Sequence, residues 1–139
     1  MPMPFAYESA SEDFERFLAA ARESSGLTTR NQAYTMAQGV LQVFRRRLPV
    51  RDAARFANVL PPVVRAIFVA DWDTDEPIRP FESREAMTRE AQSLRRDHNF
   101  APDTAIRDVA VALRAVADVA ALERVISSLP PAAADFWRE

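Results

Sequence analysis

A Leu-Pro-Pro block occurs twice in this chain, and no other feature constrains the fold as much. Residues 60–68 read LPPVVRAIF and residues 129–137 read LPPAAADFW. A proline disfavours helical geometry in the residue before it and lacks an N–H to donate, but it suits the first turn of a new helix. Each block therefore predicts a corner at which one helix ends and the next begins.

The two corners predict an internal duplication. A shift of 69 residues superimposes the corners and aligns the apolar positions of the helices that precede them. The helices before those align at a shift of 72 residues, so the second copy lacks three residues in a turn, where a deletion costs little. We predict one domain over residues 1–139, with a pseudo-repeat at about 9–70, a linker at 71–82 and a second pseudo-repeat at about 83–137.

Apolar periodicity and capping residues predict about eight helices and no strand. Two pairs of residues have the three-residue spacing of a capping box, Ser9 with Glu12 and Thr29 with Gln32. Each pair is expected to begin a helix. Apolar side chains then recur every three or four residues. Pro102 suits the first turn of the sixth helix. The expected fold class is all-α, a single-domain helical bundle.

The composition excludes several classes of function. The chain has no cysteine, so disulfides and thiolate metal sites are excluded, and only two glycines, too few for a glycine-rich phosphate loop. With a formal net charge of −2, the chain lacks the excess of basic residues that is typical of nucleic-acid binders, so no nucleic-acid partner is expected. No apolar run approaches the length of a membrane span, and the first residues lack signal-peptide features. We expect a cytoplasmic protein without membrane insertion.

The linker contains the strongest candidate for a metal site. Four carboxylates stand at positions 1, 3, 5 and 12 of a calcium loop: Asp71, Asp73, Asp75 and Glu82. Position 6, however, is Glu76 instead of the glycine that the sharp turn requires. We therefore predict no metal or other cofactor, and a solvated linker whose Trp72 packs back between the halves.

The end of the second predicted helix carries a cluster of arginines. One possible role for four of them is to bind an anion or contact a partner, since guanidinium groups bind carboxylates and phosphates through paired hydrogen bonds. These four are Arg45, Arg46, Arg51 and Arg55. The alternative is that residues 45–47 fan around a turn and face solvent at a helix end, where cations are favoured.

No catalytic residues can be assigned from the sequence. His98 is the only histidine, and no positioned partner for it is evident, so we expect a surface histidine at a helix end. Without a histidine at a suitable spacing, the serine and threonine residues do not suggest a catalytic triad. An enzyme is therefore the least supported of the functional hypotheses.

Several short motifs, taken in order, resemble a known bacterial family, the domain of unknown function DUF2267. The motifs are Phe14-Glu15-Arg16-Phe17-Leu18, Gly26-Leu27, Val40-Leu41, Arg47-Leu48-Pro49, Asn58-Val59-Leu60-Pro61, Asp71-Trp72-Asp73 and Ser128-Leu129-Pro130. The resemblance covers about residues 9–137 and implies a duplicated all-α bundle of prokaryotic origin. It implies no catalytic residues, because no activity is established for the family.

Two non-catalytic functions are open. The first is an interaction or regulatory module, whose partner is an unknown protein or a second copy of the chain. The second is a protein that binds a small ligand, an anion or a metal in a groove between the pseudo-repeats, lined by the acidic linker or the arginine cluster. A search for a stoichiometric partner and a thermal-shift screen with ligands distinguish the two functions.

Overall fold

The computed structural model describes residues 3–95 and 99–139, and within these residues the chain forms nine helices and no strand. The prediction of an all-α fold is therefore confirmed. The helices are α1 (Phe5–Glu8), α2 (Ala10–Ser25), α3 (Arg30–Arg45), α4 (Val50–Ala57), α5 (Pro62–Val69), α6 (Arg84–Ser93), α7 (Ala105–Val116), α8 (Val119–Ser128) and α9 (Pro131–Phe136). No helix in this part of the chain is long and apolar enough to cross a membrane.

The predicted starts of three helices have different outcomes. Thr29 and Gln32 form the expected reciprocal capping box at the start of α3. Ser9 forms no such box, because the extra turn α1 precedes it and the Ser9 hydroxyl oxygen lies 3.0 Å from both the carbonyl oxygen of Phe5 and the carboxylate of Asp13, one of which accepts its single hydrogen. Pro102 also lies outside its predicted helix, since the chain makes a turn there and α7 begins at Ala105.

The two Leu-Pro-Pro corners adopt the same local conformation. Pro61 has φ −59° and ψ 153°, and Pro130 has φ −55° and ψ 151°; in both corners the next proline is the first residue of a helix. Leu60 and Leu129 are buried at the ends of the preceding helices. The corners therefore turn two pairs of helices onto the core, while the duplication itself stays a prediction.

An aromatic cluster joins the first corner region to the last helix. The ring of Phe44 on α3 lies 4.9 Å from Phe56, 5.0 Å from Phe136 and 5.1 Å from Trp137, measured between centroids. All four side chains are fully buried. Such pairs stabilise a core beyond the area that they bury. The C-terminal half of α3 is consequently fixed at the centre of the bundle.

Helices α3 and α6 approach each other closely at Gly39. A Cβ atom at this position would lie 2.8 Å from the carbonyl oxygen of Ala91, a distance that side chains do not tolerate. Glycine is therefore required here for packing rather than for an unusual backbone angle. The close approach places the last turn of α3 beside Glu90 on α6, and this juxtaposition forms the site described next.

Candidate functional site

Two of the three consecutive arginines at the end of α3 point into the protein. Arg45 is 7% exposed and Arg47 is 4% exposed, so the alternative in which residues 45–47 face solvent is wrong for both. The reason is that the linker and α6 cover the end of α3. Periodicity along a single helix does not reveal such a cover, because it depends on a segment more than twenty residues further along the chain.

Arg47 forms a bidentate ion pair with Glu90. Its Nη1 and Nη2 atoms lie 2.9 and 2.8 Å from the two carboxylate oxygens, and Nη1 also donates to the carbonyl of Val43. Desolvation acts to raise the pKa of Glu90, but the hydrogen bonds and charges of Arg47, Arg46 and Arg79 outweigh it and hold that pKa below its ordinary value. Glu90 is therefore ionised at neutral pH and compensates the buried charge of Arg47.

Arg45 holds the end of α5 and the start of the linker. Its Nη1 atom donates to the carbonyls of Phe68 and Ala70, at 3.0 and 2.9 Å. Its Cζ atom lies 5.4 Å from the ring centroid of Trp72, a cation–π distance. Between these contacts the backbone of Asp71 takes a left-handed φ of 54°, which is unusual for a residue other than glycine. Arg45 thus stabilises the sharp exit from α5.

The positive charge of Arg45 has no carboxylate partner within hydrogen-bonding or ion-pair distance among the described residues. Its Nε atom is buried and has no acceptor there. Burial lowers the pKa of Arg45, as does the charge of Arg46, while Glu76 and Asp71 act from a distance to raise it. Arg45 and Arg47 are both buried arginines at one helix end, but only Arg47 is neutralised by direct contact.

The linker is fixed to the end of α3 by a backbone hydrogen bond and several ion pairs. The Arg79 N–H donates to the carbonyl of Arg46 at 3.0 Å. Glu76 lies 3.9 Å from Arg46, and Glu82 lies 3.4 Å from Arg47. Arg79 lies 3.6 Å from Glu90 on α6. Arg46 in turn lies 3.1 Å from Glu90. These contacts connect the linker, α3 and α6 in one charged network.

A cleft opens between the linker and the corner that joins α3 to α4. We call it the linker cleft, and its lining consists of Arg45, Arg46, Leu48, Val50, Trp72, Asp73, Thr74, Glu76, Pro77 and Ile78. It contains a small cavity of about 60 Å³. Two large apolar side chains on its rim are open to solvent, Val50 at 51% and Ile78 at 58% exposure. The cleft thus combines a buried cation with an apolar rim.

The structure brings together only part of the predicted arginine group. Arg45 and Arg46 line the linker cleft. Arg51 is exposed on α4, and Arg55 donates to the hydroxyl of Ser128 and lies 3.6 Å from Asp52, away from the cleft. A role for the four arginines in binding an anion or a partner stays a prediction, and so does the groove between the pseudo-repeats.

The four carboxylates of the calcium alternative are not gathered around one point. The Asp73 carboxylate accepts the backbone N–H of Asp75 at 3.0 Å, and Glu82 pairs with Arg47. In residues 3–95 and 99–139 no group of three acidic or histidine side chains is placed to hold a metal ion. Asp71, whose carboxylate would be the first ligand, belongs to the left-handed exit from α5. His98, which was expected at a helix end, lies outside the described residues.

The exposed rim of the cleft was not identified from the sequence. Val50 follows a proline that ends one helix, and Ile78 is an isolated apolar residue in an acidic linker, so neither belongs to an apolar stripe. The available signal was Trp72, a large side chain in a polar segment, which was expected to pack back between the halves. It packs on Arg45, and this contact closes one side of the cleft.

The comparisons with known proteins identify one family. Residues 14–136 match the family model described as "Uncharacterized conserved protein (DUF2267)". No curated protein matches the chain. The match covers most of the 139 residues, including α3, the linker and both corners.

Proposed function

The chain belongs to the DUF2267 family, and we propose that it is a non-catalytic interaction module that docks a protein partner at the linker cleft. One observation carries the proposal: two large apolar side chains, Val50 and Ile78, stand more than half exposed on the rim of the same cleft. Exposed apolar groups beside a concave polar site are typical of contact surfaces.

The construction of the cleft supports the proposal energetically. The linker wall is held by the hydrogen bond from the Arg79 N–H and by ion pairs of Glu82 with the buried Arg47 and of Arg79 with the partly buried Glu90. A partner that covers the rim would remove apolar area from water, a gain of about 25 cal/mol per Å². Because the wall is already ordered, little conformational entropy is lost on docking. A preformed cleft of this kind favours binding without a large rearrangement.

A matched pair of double variants tests the proposal. In Val50→Ser/Ile78→Ser the rim is made polar, and in Val69→Ser/Val119→Ser the same chemistry is applied to exposed valines that do not line the cleft. Wild type and both variants serve as bait in extracts of the native host, and the affinity for the captured partner is then measured by calorimetry. Sedimentation velocity over a concentration series tests a second copy of the chain as the partner.

We expect the rim variant to bind at least about tenfold more weakly, a loss of 1.4 kcal/mol or more, and the control to bind like wild type. Equal affinity in the two variants would contradict the proposal. The same proposal places the module in the bacterial cytoplasm, with which the absence of cysteine from the sequence is compatible. Separation of the cytoplasm of the native host from its extracytoplasmic and membrane fractions tests that location, and recovery of the protein outside the cytoplasm would contradict it.

A second candidate function is the binding of a small ligand or anion. The observation that favours it is the buried charge of Arg45, which borders the cavity of the linker cleft and lacks a carboxylate partner among the described residues. This candidate uses the same cleft but needs no protein partner.

A further inference from the structure

A cavity lies between the start of α6 and the start of α7, and we call it the α6–α7 cavity. It shares no lining residue with the linker cleft and has a volume of about 250 Å³. Charged side chains of both signs line it, namely Arg84, Arg107 and Arg138 together with Glu85, Asp103 and Glu139. Which of these charges are available to a ligand depends on their partners within the protein.

Two of the three arginines are already paired with carboxylates. Arg138 lies 2.8 Å from Asp135, and Arg107 lies 3.4 Å from Asp108. Arg84 has no carboxylate within ion-pair distance among the described residues, and its Nη2 atom donates to the carbonyl of Arg138 at 2.6 Å. Because a guanidinium has five N–H groups, most of those on Arg84 have no acceptor in this part of the chain.

The guanidinium of Arg84 is accessible from the cavity. Arg84 is half-buried, but none of its nitrogen atoms is both enclosed and without a partner, in contrast to the Nε atom of Arg45. Burial lowers the pKa of Arg84 and the charge of Arg138 lowers it further, while Asp135 acts to raise it. Arg84 thus carries a positive charge that nearby acids compensate only in part and that a ligand can reach.

Glu85 places a negative charge beside Arg84. It is exposed, lines the same cavity and forms no ion pair with another described residue. Consecutive residues of a helix point about 100° apart, so Arg84 and Glu85 reach the cavity from different sides. Asp103 and Glu139 add negative charge to the lining, which disfavours a ligand that is only an anion. A ligand that satisfies both neighbours must carry charges of both signs.

We propose that the α6–α7 cavity binds a free α-amino acid in its zwitterionic form, with the carboxylate on Arg84 and the ammonium group on Glu85. Guanidinium groups bind carboxylates through paired hydrogen bonds, and an ammonium group has three N–H donors for a carboxylate. The cavity volume corresponds to about eight water molecules in the liquid, so a small amino acid fits. Ile106 also lines the cavity and offers apolar contact to a short side chain. The inference goes beyond the proposed function, because it concerns a separate site.

The direct test is nuclear magnetic resonance of the ¹⁵N-labelled chain, whose mass of 15.6 kDa suits the method. The backbone amide signals of Glu85 and Arg107 are followed while L-alanine is added at constant pH and salt concentration. We expect saturable shifts of both signals with one dissociation constant, in the millimolar range because exposed ion pairs are weak. Signals that stay constant, or that drift linearly without saturation, would overturn the proposal.

Two analogues of alanine test whether both charges are recognised. Sodium propionate, exchanged for sodium chloride, keeps the carboxylate and lacks the ammonium group, whereas L-alaninamide keeps the ammonium group and lacks the carboxylate. We expect each analogue to bind at least about tenfold more weakly than alanine. Propionate of equal affinity would indicate a site for anions alone, and alaninamide of equal affinity a site for cations alone. Either result would contradict the proposal.

Matched variants assign each charge to its residue. Arg84→Gln removes the cation, and Arg124→Gln makes the same change at an exposed arginine of α8 that does not line the cavity. Glu85→Gln removes the anion, and Glu23→Gln is its control at an exposed position of α2. We expect alanine binding to be at least about tenfold weaker in Arg84→Gln and in Glu85→Gln, and unchanged in both controls.

Unchanged alanine binding in a folded Arg84→Gln or Glu85→Gln chain would refute the assignment. Arg84→Gln also removes the hydrogen bond to the carbonyl of Arg138. The Glu85 side chain makes no hydrogen bond with another described residue, so Glu85→Gln keeps the test decisive if the first variant does not fold. A failure of these titrations is distinguishable from a failure of partner capture, because the α6–α7 cavity and the linker cleft share no residue.

Discussion

Replacement of Glu90 by Gln should destabilise the protein through Arg47. The substitution keeps the size of the side chain but removes the negative charge that both terminal nitrogens of Arg47 contact, at 2.8 and 2.9 Å. The side chain of Arg47 is 1% exposed, so water cannot replace the lost partner. Removing one member of a buried ion pair costs about 3–5 kcal/mol, because an uncompensated charge is left behind.

The lower end of that range applies here. Glu82 remains 3.4 Å from Arg47, the carbonyl of Val43 still accepts a hydrogen bond, and the side chain of Glu90 itself is 16% exposed. We therefore expect a loss of about 3 kcal/mol, against the roughly 5–15 kcal/mol that stabilises a typical domain. With a slope of about 1–3 kcal/mol per molar urea, the unfolding midpoint should fall by about 1–3 M.

Urea unfolding of the wild type and the variant, monitored by circular dichroism, measures this loss. Glu85→Gln is the matched control, because Glu85 lies on the same helix, is exposed and makes no ion pair with another described residue. The control should remain within about 0.5 kcal/mol of the wild type. If the unfolding free energy of Glu90→Gln were also within about 0.5 kcal/mol of the wild-type value, the reasoning would be refuted. The charge of Arg47 would then be compensated without Glu90.

Three further predictions concern the fold. Leu60→Ala and Leu129→Ala should each cost about 2–5 kcal/mol, because both side chains are buried at their corners, and unchanged urea midpoints would show that the corners do not serve packing. Gly39→Ala should cost about 1–3 kcal/mol through the clash of its Cβ with the carbonyl of Ala91, and a melting temperature equal to that of the wild type would contradict the close approach of α3 and α6. Because the pKa of Glu90 is lowered by folding, its ionised form stabilises the fold at pH values above the ordinary pKa of 4.5. This contribution is lost as the pH falls through the folded-state pKa. The midpoints of the wild type and Glu90→Gln should therefore converge in acid, and a gap that is constant with pH would be evidence against the ion pair.

Most of the helices were predictable because their determinants are local. The apolar stripe of α3, its capping box and the proline that follows it all lie within one stretch of sequence, and the structure has the helix there. The exception is α1, a single turn with no buried residue, which no apolar periodicity could reveal. Its presence also explains why Ser9 does not act as the predicted cap.

The candidate site was predictable only in part, because its determinants are distant in sequence. Arg45 and Arg46 were selected as possible contacts, and both line the cleft. Arg45 is buried because the linker folds back over α3. Arg47 is paired because Glu90, 43 residues further along the chain, lies beside it. Neither fact is encoded in the pattern of three consecutive arginines, which is equally typical of an exposed helix end.

Docking at the linker cleft requires that the linker forms a fixed wall of the cleft, and hydrogen exchange at the Arg79 amide tests this most directly. That N–H donates to the carbonyl of Arg46 at 3.0 Å, whereas the Thr74 amide of the same linker has no acceptor among the described residues and serves as the internal reference. We predict that Arg79 exchanges about 100-fold or more slowly than an unprotected amide, an opening free energy of roughly 3 kcal/mol, and that Glu90→Gln removes much of this protection. Exchange of Arg79 as fast as that of Thr74 would show that the linker is not held on α3 and that no preformed cleft exists.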